Sequence, residues 1–314
     1  MEASTIIAVI FGFATIIVAA ISFHERQEGK ISSPKQKVVL PRAPFCWFGW
    51  FAPCCPCDPV AKEWIERRLA WLSNQFPSNI FTDRPLILPT NEFFPEKCDA
   101  SKEYAQAMLH RVCQFMGVER SRVLLRFSHE PHKVWFVNDS GAYMPHTAGM
   151  YSHSQTGHVI TLDDGQLYHP ADLIATMVHE LAHARLLGEG RLRGHHHDDE
   201  LLTDLTAFIL GFAIFMSNSP RAWTSTFTKW PGTRVNKPEY MTSPMYGYAL
   251  AHLAWFQGQP NPAWVKYLGT NVINDCKDAI RFLFRDGDSS FRPSWLQRVS
   301  PASGRGVTRE RREI

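Results

Sequence analysis

The chain has little net charge, no internal repeat and no regular set of paired cysteines. Its formal net charge is +3 in 314 residues, and part of the basic excess lies in the C-terminal stretch GRGVTRERR. This balance gives no reason to expect a nucleic acid partner. The seven cysteines are an odd number, four of them crowded between Cys46 and Cys57, which is a poor disulfide framework and favours a reducing compartment. Without a repeat period, nothing indicates a solenoid or a propeller.

The N-terminal segment has no charged residue from Ser4 to Phe23. About twenty apolar residues in a helix span the hydrocarbon core of a bilayer. Residues 1–23 are therefore predicted to form a transmembrane anchor, with membrane lipid as the partner of residues 4–23. A cleaved signal peptide is the main alternative, although Glu2 stands where a basic region is usual. A helix buried in the fold is the remaining alternative.

The membrane topology is predicted from the basic residues that flank this segment. None precedes it, and several follow it directly, namely Arg26, Lys30, Lys35, Lys37 and Arg42. The excess of lysine and arginine marks the cytoplasmic side of a membrane helix. The sequence thus predicts a single-pass protein with its C-terminal part in the cytoplasm. If a signal peptide is cleaved instead, the protein is secreted or periplasmic.

Residues 24–57 are predicted to be a linker with an unusual end, FCWFGWFAPCCPC, which contains Cys46, Cys54, Cys55 and Cys57. The segment is too short and too rich in proline to cross a membrane. Three interpretations remain open. It lies at the membrane interface with cysteines available for acylation, it packs on the domain as a hydrophobic strap, or it binds a metal through an unusual cysteine spacing.

A single α+β domain is predicted over residues 58–287, with a predominantly helical C-terminal half, followed by a disordered basic tail over 288–314. Helices are predicted over 59–76, 100–118, 170–190, 198–216, 244–257 and 274–285, and strands over 121–128, 133–138 and 157–164. The strongly apolar helix over 198–216 contains Asp204 and is predicted to lie in the core rather than in a membrane.

The motif with the clearest chemistry is His179-Glu180-x-x-His183 in the third predicted helix, within VHELAHARL. Residues four apart on a helix lie on one face, so the two imidazoles can bind one metal ion. Glu180 directly follows His179 in the chain. From that position its side chain can reach a water on the metal without binding the metal itself. The alternative is an ordinary helix with two core histidines, which would leave buried imidazoles in need of partners.

The third ligand is predicted to be Glu200, at the start of the next helix. The metzincin pattern fails, because Glu189 stands where its third histidine would be. The tract His195, His196 and His197 is a second possibility, but three histidines among charges are more typical of a solvated loop. Asp204, one turn after Glu200, can accept the free ring N–H of a metal-bound histidine. The alternative role of Glu200 is a charge that favours a helix N-terminus.

The pattern His179, Glu180, His183, then Glu200, Thr203, Asp204 resembles the gluzincin clan of zinc metallopeptidases, the thermolysin-like group, and is similar to bacterial proteins with no assigned substrate. The resemblance covers Val159 to Met216. It implies a small zincin-like fold in which His179, His183 and Glu200 bind Zn²⁺, Glu180 is the general base, and Asp204 orients His179. It also implies that the strand before the motif helix is an edge strand that aligns a peptide substrate.

The group that would stabilise a tetrahedral oxyanion has no sequence motif here. The residues selected for that role are Tyr246, Tyr248 and His252, in MYGYALAH. Their alternative role is that of core residues of a helix.

The function predicted from these residues is a membrane-anchored zinc-dependent peptidase that hydrolyses a peptide or protein substrate through a zinc-activated water. The main alternative is a catalytically inactive zinc-binding scaffold at the membrane. An intramembrane protease is disfavoured, because the motif helix carries too many polar groups to lie in a bilayer.

Overall fold

The computed structural model describes residues 54–128, 149–154, 157–194, 196, 198–219 and 228–292. The predicted transmembrane segment, the linker up to residue 53 and the predicted strand over 133–138 lie outside these residues. His195, His197 and the C-terminal residues from 293 lie outside them as well.

The described part of the chain is a mixed α+β fold, dominated by helices and containing a three-stranded sheet, as predicted. The helices are α1 (Pro59–Gln75), α2 (Lys102–Met116), α3 (Pro170–His183), α4 (Asp199–Ala207), α5 (Ala213–Asn218), α6 (Ser243–Phe256) and α7 (Thr270–Asp286). The strands are β1 (Val123–Ser128), β2 (Gly149–Ser154) and β3 (Gly157–Asp163). Wider π-helical turns extend α3 to Gly188 and connect α4 to α5.

Local capping explains where the first two helices begin. The Asp58 side chain accepts hydrogen bonds from the N–H groups of Val60 and Ala61, and Pro59 occupies the first turn of α1. The Ser101 hydroxyl accepts from the Tyr104 N–H at the start of α2. Such caps satisfy N–H groups that lack a partner within the helix. Helix α1 therefore begins at the predicted residue and α2 two residues after the predicted start, and both bury one apolar face in the core.

The sheet has the order β1-β3-β2, with β3 parallel to β1 and antiparallel to β2. The expectation that the strand before the motif helix is an edge strand is therefore wrong. Strand β3 is hydrogen-bonded on both sides, and its apolar residues Val159, Ile160 and Leu162 are buried or half-buried. Within the described residues, β2 is the outer strand on that side. Its sequence, GMYSHS, has no apolar alternation, so the sequence analysis missed it.

Helices α4 and α5 form one core segment, as predicted, but a break that the sequence analysis did not predict divides it. Asp199–Asn218 is the one stretch among the described residues that is long and apolar enough to cross a membrane, and 94% of its most apolar window is buried inside the fold. The break lies at Gly211, whose φ of +101° is open to glycine but strained for other residues. Arg84 donates to the Leu210 carbonyl at 2.8 Å, and the Ile87 N–H donates to the Gly211 carbonyl at 2.8 Å. These donors satisfy carbonyls that the break leaves outside the helical ladder.

The ordered fold extends to at least Arg292, so the tail predicted from residue 288 begins too early. Phe291 is buried, and Ser290 donates to the Glu66 carboxylate on α1 through both its N–H and its hydroxyl, at 3.0 and 2.6 Å. Tyr248 on α6 donates to the same carboxylate at 2.6 Å. Such packing depends on single side chains, which a search for periodic patterns does not detect.

Acid is expected to destabilise the fold through Glu66. Burial alone would raise its pKa, but hydrogen bonds from Ser290, Tyr248 and Lys62 lower the pKa to about 2. The unfolded value is about 4.3, so the stabilisation, about 3 kcal/mol, is present above that pH and is lost as the pH falls toward 2. Burial lowers the pKa of His252 to about 4, which adds a loss between roughly pH 6.5 and 4.

The measurement is urea unfolding of the parent and of Glu66→Gln from pH 7 to 2.5. The variant should be less stable at pH 7 and should show a shallower fall in the free energy of unfolding below pH 4.3. Parallel curves for the two proteins below that pH would contradict the assignment to Glu66.

Candidate metal centre

Helix α3 carries the motif residues on its buried side. His179 and Glu180 are both buried, and His183 is largely buried one turn later. The two imidazole rings have centroids 4.9 Å apart and are nearly perpendicular to each other. The expected pairing of residues four apart on one helical face is therefore present.

Glu200, in the first turn of α4, joins the two histidines. Its Oε2 atom lies 3.0 Å from His179 Nε2 and 3.8 Å from His183 Nε2. One ligand atom from each of the three residues lies within 4.8 Å of the others, a spacing that could hold a metal ion. Ligands about 2.0–2.2 Å from a tetrahedral zinc lie roughly 3.3 Å from one another, so little adjustment would be needed.

The start of α4 is fixed against α1 by a buried carboxylate, Asp198. Arg68 donates to both of its oxygens at 2.7 Å, and the Trp64 indole N–H donates at 2.6 Å. Charge-assisted and bidentate hydrogen bonds of this kind are strong and directional. They hold Glu200, two residues later, against the motif helix.

The other ring nitrogen of each histidine also has a partner. His179 Nδ1 lies 2.8 Å from Asp204 Oδ1, as the sequence analysis expected for Asp204. His183 Nδ1 lies 3.3 Å from the Thr203 hydroxyl. That hydroxyl donates to the Asp199 carbonyl at 2.8 Å, so it can accept from His183. Partners on both Nδ1 atoms direct both Nε2 atoms toward Glu200, the arrangement that metal-binding histidines require.

The donor set fits a metal ion on physical grounds. With Nδ1–H donated to Asp204, a neutral His179 presents its Nε2 lone pair to a carboxylate oxygen 3.0 Å away. Two atoms that both carry lone pairs repel each other at this distance unless a proton or a cation lies between them. Two imidazoles and one carboxylate are a usual set of protein ligands for zinc, and three protein ligands leave a fourth position open.

A loop before α6 covers the far side of the site. The Met241 N–H donates to Asp204 Oδ2 at 3.0 Å, and the Tyr240 ring centroid lies 5.9 Å from that of His179. Burial raises the pKa of the neighbouring Glu239, Lys237 opposes this shift, and the negative charge of Glu200 adds to it. The surroundings of the site are therefore electronegative and favour a cation.

A tyrosine from the sheet packs on His183 and contacts a histidine of the neighbouring strand, and the sequence analysis missed both. The Tyr151 ring on β2 stacks on His183 at 5.7 Å between centroids, and its hydroxyl lies 2.9 Å from His158 Nδ1. Burial raises the pKa of Tyr151 to about 12, so its hydroxyl stays protonated. A Cβ at Gly188 would lie 2.5 Å from the His158 ring, so this close approach requires glycine.

The residues selected for oxyanion stabilisation are committed to other contacts. The Tyr248 hydroxyl donates to Glu66, and His252 contacts the Tyr248 carbonyl and the Ser289 hydroxyl, each at 3.0 Å. Tyr246 is buried in α6, and its ring stacks on Phe208. These contacts favour their alternative role as core residues. The tyrosines that do pack against the metal-site histidines are Tyr151 and Tyr240.

Of the three histidines in the tract before α4, the described residues include His196, which is exposed. Its Nε2 lies 2.9 Å from the Arg193 carbonyl, and its N–H donates to Asp199. This residue therefore stabilises its own loop, as the sequence analysis considered more typical of such a tract.

Comparison of the chain with protein-family models, with curated proteins and with solved structures finds no match. The resemblance to gluzincin peptidases therefore rests on the motif residues and stays a prediction.

Proposed function

We propose that the protein is a zinc-dependent peptidase of the gluzincin type, anchored in a membrane by residues 4–23 with its domain in the cytoplasm. The observation that carries the zinc site is the convergence of His179, His183 and Glu200, whose ligand atoms lie within 4.8 Å of one another. The partners on both Nδ1 atoms support the same proposal, because a purely structural pair of histidines does not need both rings fixed in this orientation.

A zinc ion held by these residues would supply a Lewis acid and lower the pKa of water toward neutrality. Glu180 follows His179 on the helix and is rotated by about 100° from it, so it is free of metal binding. Its carboxylate takes a proton from the attacking water and then delivers that proton to the leaving amine. Burial of Glu180 keeps competing water away from this transfer.

A second candidate function is a zinc-binding scaffold without peptidase activity. It is favoured by the contacts of Tyr248 and His252, which leave no selected oxyanion donor at the metal centre. Both candidates require the metal, and they differ in whether Glu180 takes part in a reaction.

The test of the metal site is the zinc content of the full-length chain, purified in mild detergent, and of its Glu200→Ala variant. We expect one zinc per parent chain and a large loss in the variant, because removal of one of three protein ligands weakens binding steeply. The matched control is Glu189→Ala, since Glu189 pairs with Arg185 and Arg191 outside the triad. A folded parent that holds no zinc would sink the proposal. Zinc retained by Glu200→Ala would move the third ligand to the loop at His195–His197.

A further inference from the structure

The cysteine-rich end of the linker packs on the domain just before α1. The backbone bends at Pro56 and Cys57, and Asp58 then caps the helix. Exposure falls along the segment, from the exposed Cys54 through the half-buried Cys55 to the buried Cys57. The last part of the predicted linker, residues 54–57, therefore belongs to the fold. For these residues this agrees with the interpretation of the segment as a hydrophobic strap packed on the domain.

Two of these thiols are in direct contact. The Cys57 backbone N–H donates to Cys55 sulfur. The one proton of the Cys57 thiol has two acceptors within reach, Cys55 sulfur and the Pro244 carbonyl, which lies 3.1 Å away in the first turn of α6. Cysteines two residues apart have Cα atoms within the range of about 4.4–6.8 Å that a disulfide spans when the chain between them bends. The six described cysteines, these two included, are free thiols.

The two thiols differ in reactivity. The hydrogen bond from Cys57 lowers the pKa of Cys55, burial opposes this shift, and the positive charge of Lys62 favours it. The contact with Cys55, together with burial, raises the pKa of Cys57. The thiolate is the nucleophile in disulfide exchange, so the more accessible Cys55 is suited to attack and the buried Cys57 to resolve.

We propose that Cys55 and Cys57 are a redox-active pair that converts reversibly between two thiols and an intramolecular disulfide. The oxidant is a small disulfide such as oxidised glutathione. Cys55 thiolate attacks one sulfur of the oxidant, forms a mixed disulfide and releases one glutathione thiolate. That thiolate accepts the Cys57 proton, and Cys57 sulfur then attacks Cys55 sulfur and releases the second glutathione. The sum is two protein thiols and one glutathione disulfide converted to one protein disulfide and two glutathione thiols.

The disulfide removes the thiol proton that faces the Pro244 carbonyl. Pro244 lies three residues after Met241, whose N–H holds Asp204 at the metal centre. Oxidation therefore loosens the start of α6 close to the segment that supports His179. This effect of oxidation on the metal centre rests on the proposed function, whereas the thiol chemistry does not.

The first experiment equilibrates the full-length chain with oxidised and reduced glutathione, alkylates the remaining thiols and maps the peptides by mass spectrometry. We expect a Cys55–Cys57 peptide that has lost two hydrogens, and its recovery as two thiols after reduction. The Cys54→Ser variant should behave in the same way. In Cys57→Ser, the mixed disulfide should accumulate on Cys55, because no resolving thiol remains.

A folded chain whose Cys55 and Cys57 stay reduced in excess oxidised glutathione would overturn the proposal. So would a Cys57→Ser variant in which glutathione is attached to Cys54 rather than to Cys55. None of these readouts needs the metal, so a failure of the zinc proposal leaves them unaffected.

The second experiment compares the rate of zinc release to a chelator from the dithiol and disulfide forms. Faster release from the disulfide form is expected, and Cys57→Ser, which cannot form the disulfide, should show no acceleration by oxidant. Equal rates in the two forms would overturn the link to the metal centre. A parent without zinc would contradict the proposed function instead.

Discussion

Glu180→Gln is expected to abolish peptide hydrolysis while the variant keeps its zinc. Glutamine has nearly the shape of glutamate but cannot accept the proton of the attacking water, and general acid–base catalysis contributes about 10²–10⁴-fold to rate. His179, His183 and Glu200 are untouched, so the zinc content should equal that of the parent. The measurement is cleavage of a mixed peptide library, read by mass spectrometry, together with zinc content on the same samples.

The control for Glu180→Gln is Glu189→Gln, the same change at a carboxylate paired with Arg185 and Arg191 on the same helical segment. This control should cleave at the parental rate. Cleavage by Glu180→Gln at the parental rate would remove Glu180 from the mechanism. A parent that binds zinc but cleaves no peptide would favour the scaffold function.

Asp204→Asn is expected to weaken zinc binding by about 10–100-fold, the usual effect of losing a hydrogen-bond partner of a metal-bound histidine. Asparagine preserves the size of the side chain and can still accept from Met241, but it lacks the negative charge that raises the basicity of His179. Competition with a chromogenic chelator measures the affinity. Urea unfolding of the zinc-free protein shows whether the fold itself has changed.

Thr203→Val is the companion variant, because it removes the contact with His183 and keeps the shape of the side chain. The Thr203 hydroxyl lies 3.3 Å from His183 Nδ1 and carries no charge, whereas Asp204 Oδ1 lies 2.8 Å from His179 Nδ1. The loss of zinc affinity in Thr203→Val should therefore be smaller. An effect of Thr203→Val equal to or greater than that of Asp204→Asn would contradict the assigned roles of the two residues.

The elements that the sequence predicted well are those with a regular pattern of buried positions. Helices α1 and α2 show apolar residues at helical spacing, and β3 combines Val159, Ile160 and Leu162 with a turn signal at Asp163-Asp164-Gly165. Strand β2 could not be predicted, because GMYSHS gains its conformation from pairing with β3 and not from its own composition.

The site shows the same division between local and long-range information. The ligand geometry of His179 and His183 follows from the helical repeat, and Asp204 was predicted from the cost of burying an unpaired carboxylate. Tyr151 and Tyr240 reach the site only through tertiary folding, so neither position carries a local signal. The contact of Tyr248 with Glu66 could not be predicted for the same reason, because Glu66 lies on a helix far away in the sequence.

The apolar core segment that contains Gly211 has a consequence for biosynthesis. Asp199–Asn218 has a mean hydropathy of 1.6 in its best window, and 94% of that window is buried in the finished fold. Helix α5 packs against α6 and α7, which leave the ribosome after it. During synthesis this apolar stretch is therefore exposed before its covering helices exist. The time for which it stays open to aggregation depends on how soon the C-terminal helices arrive to cover it.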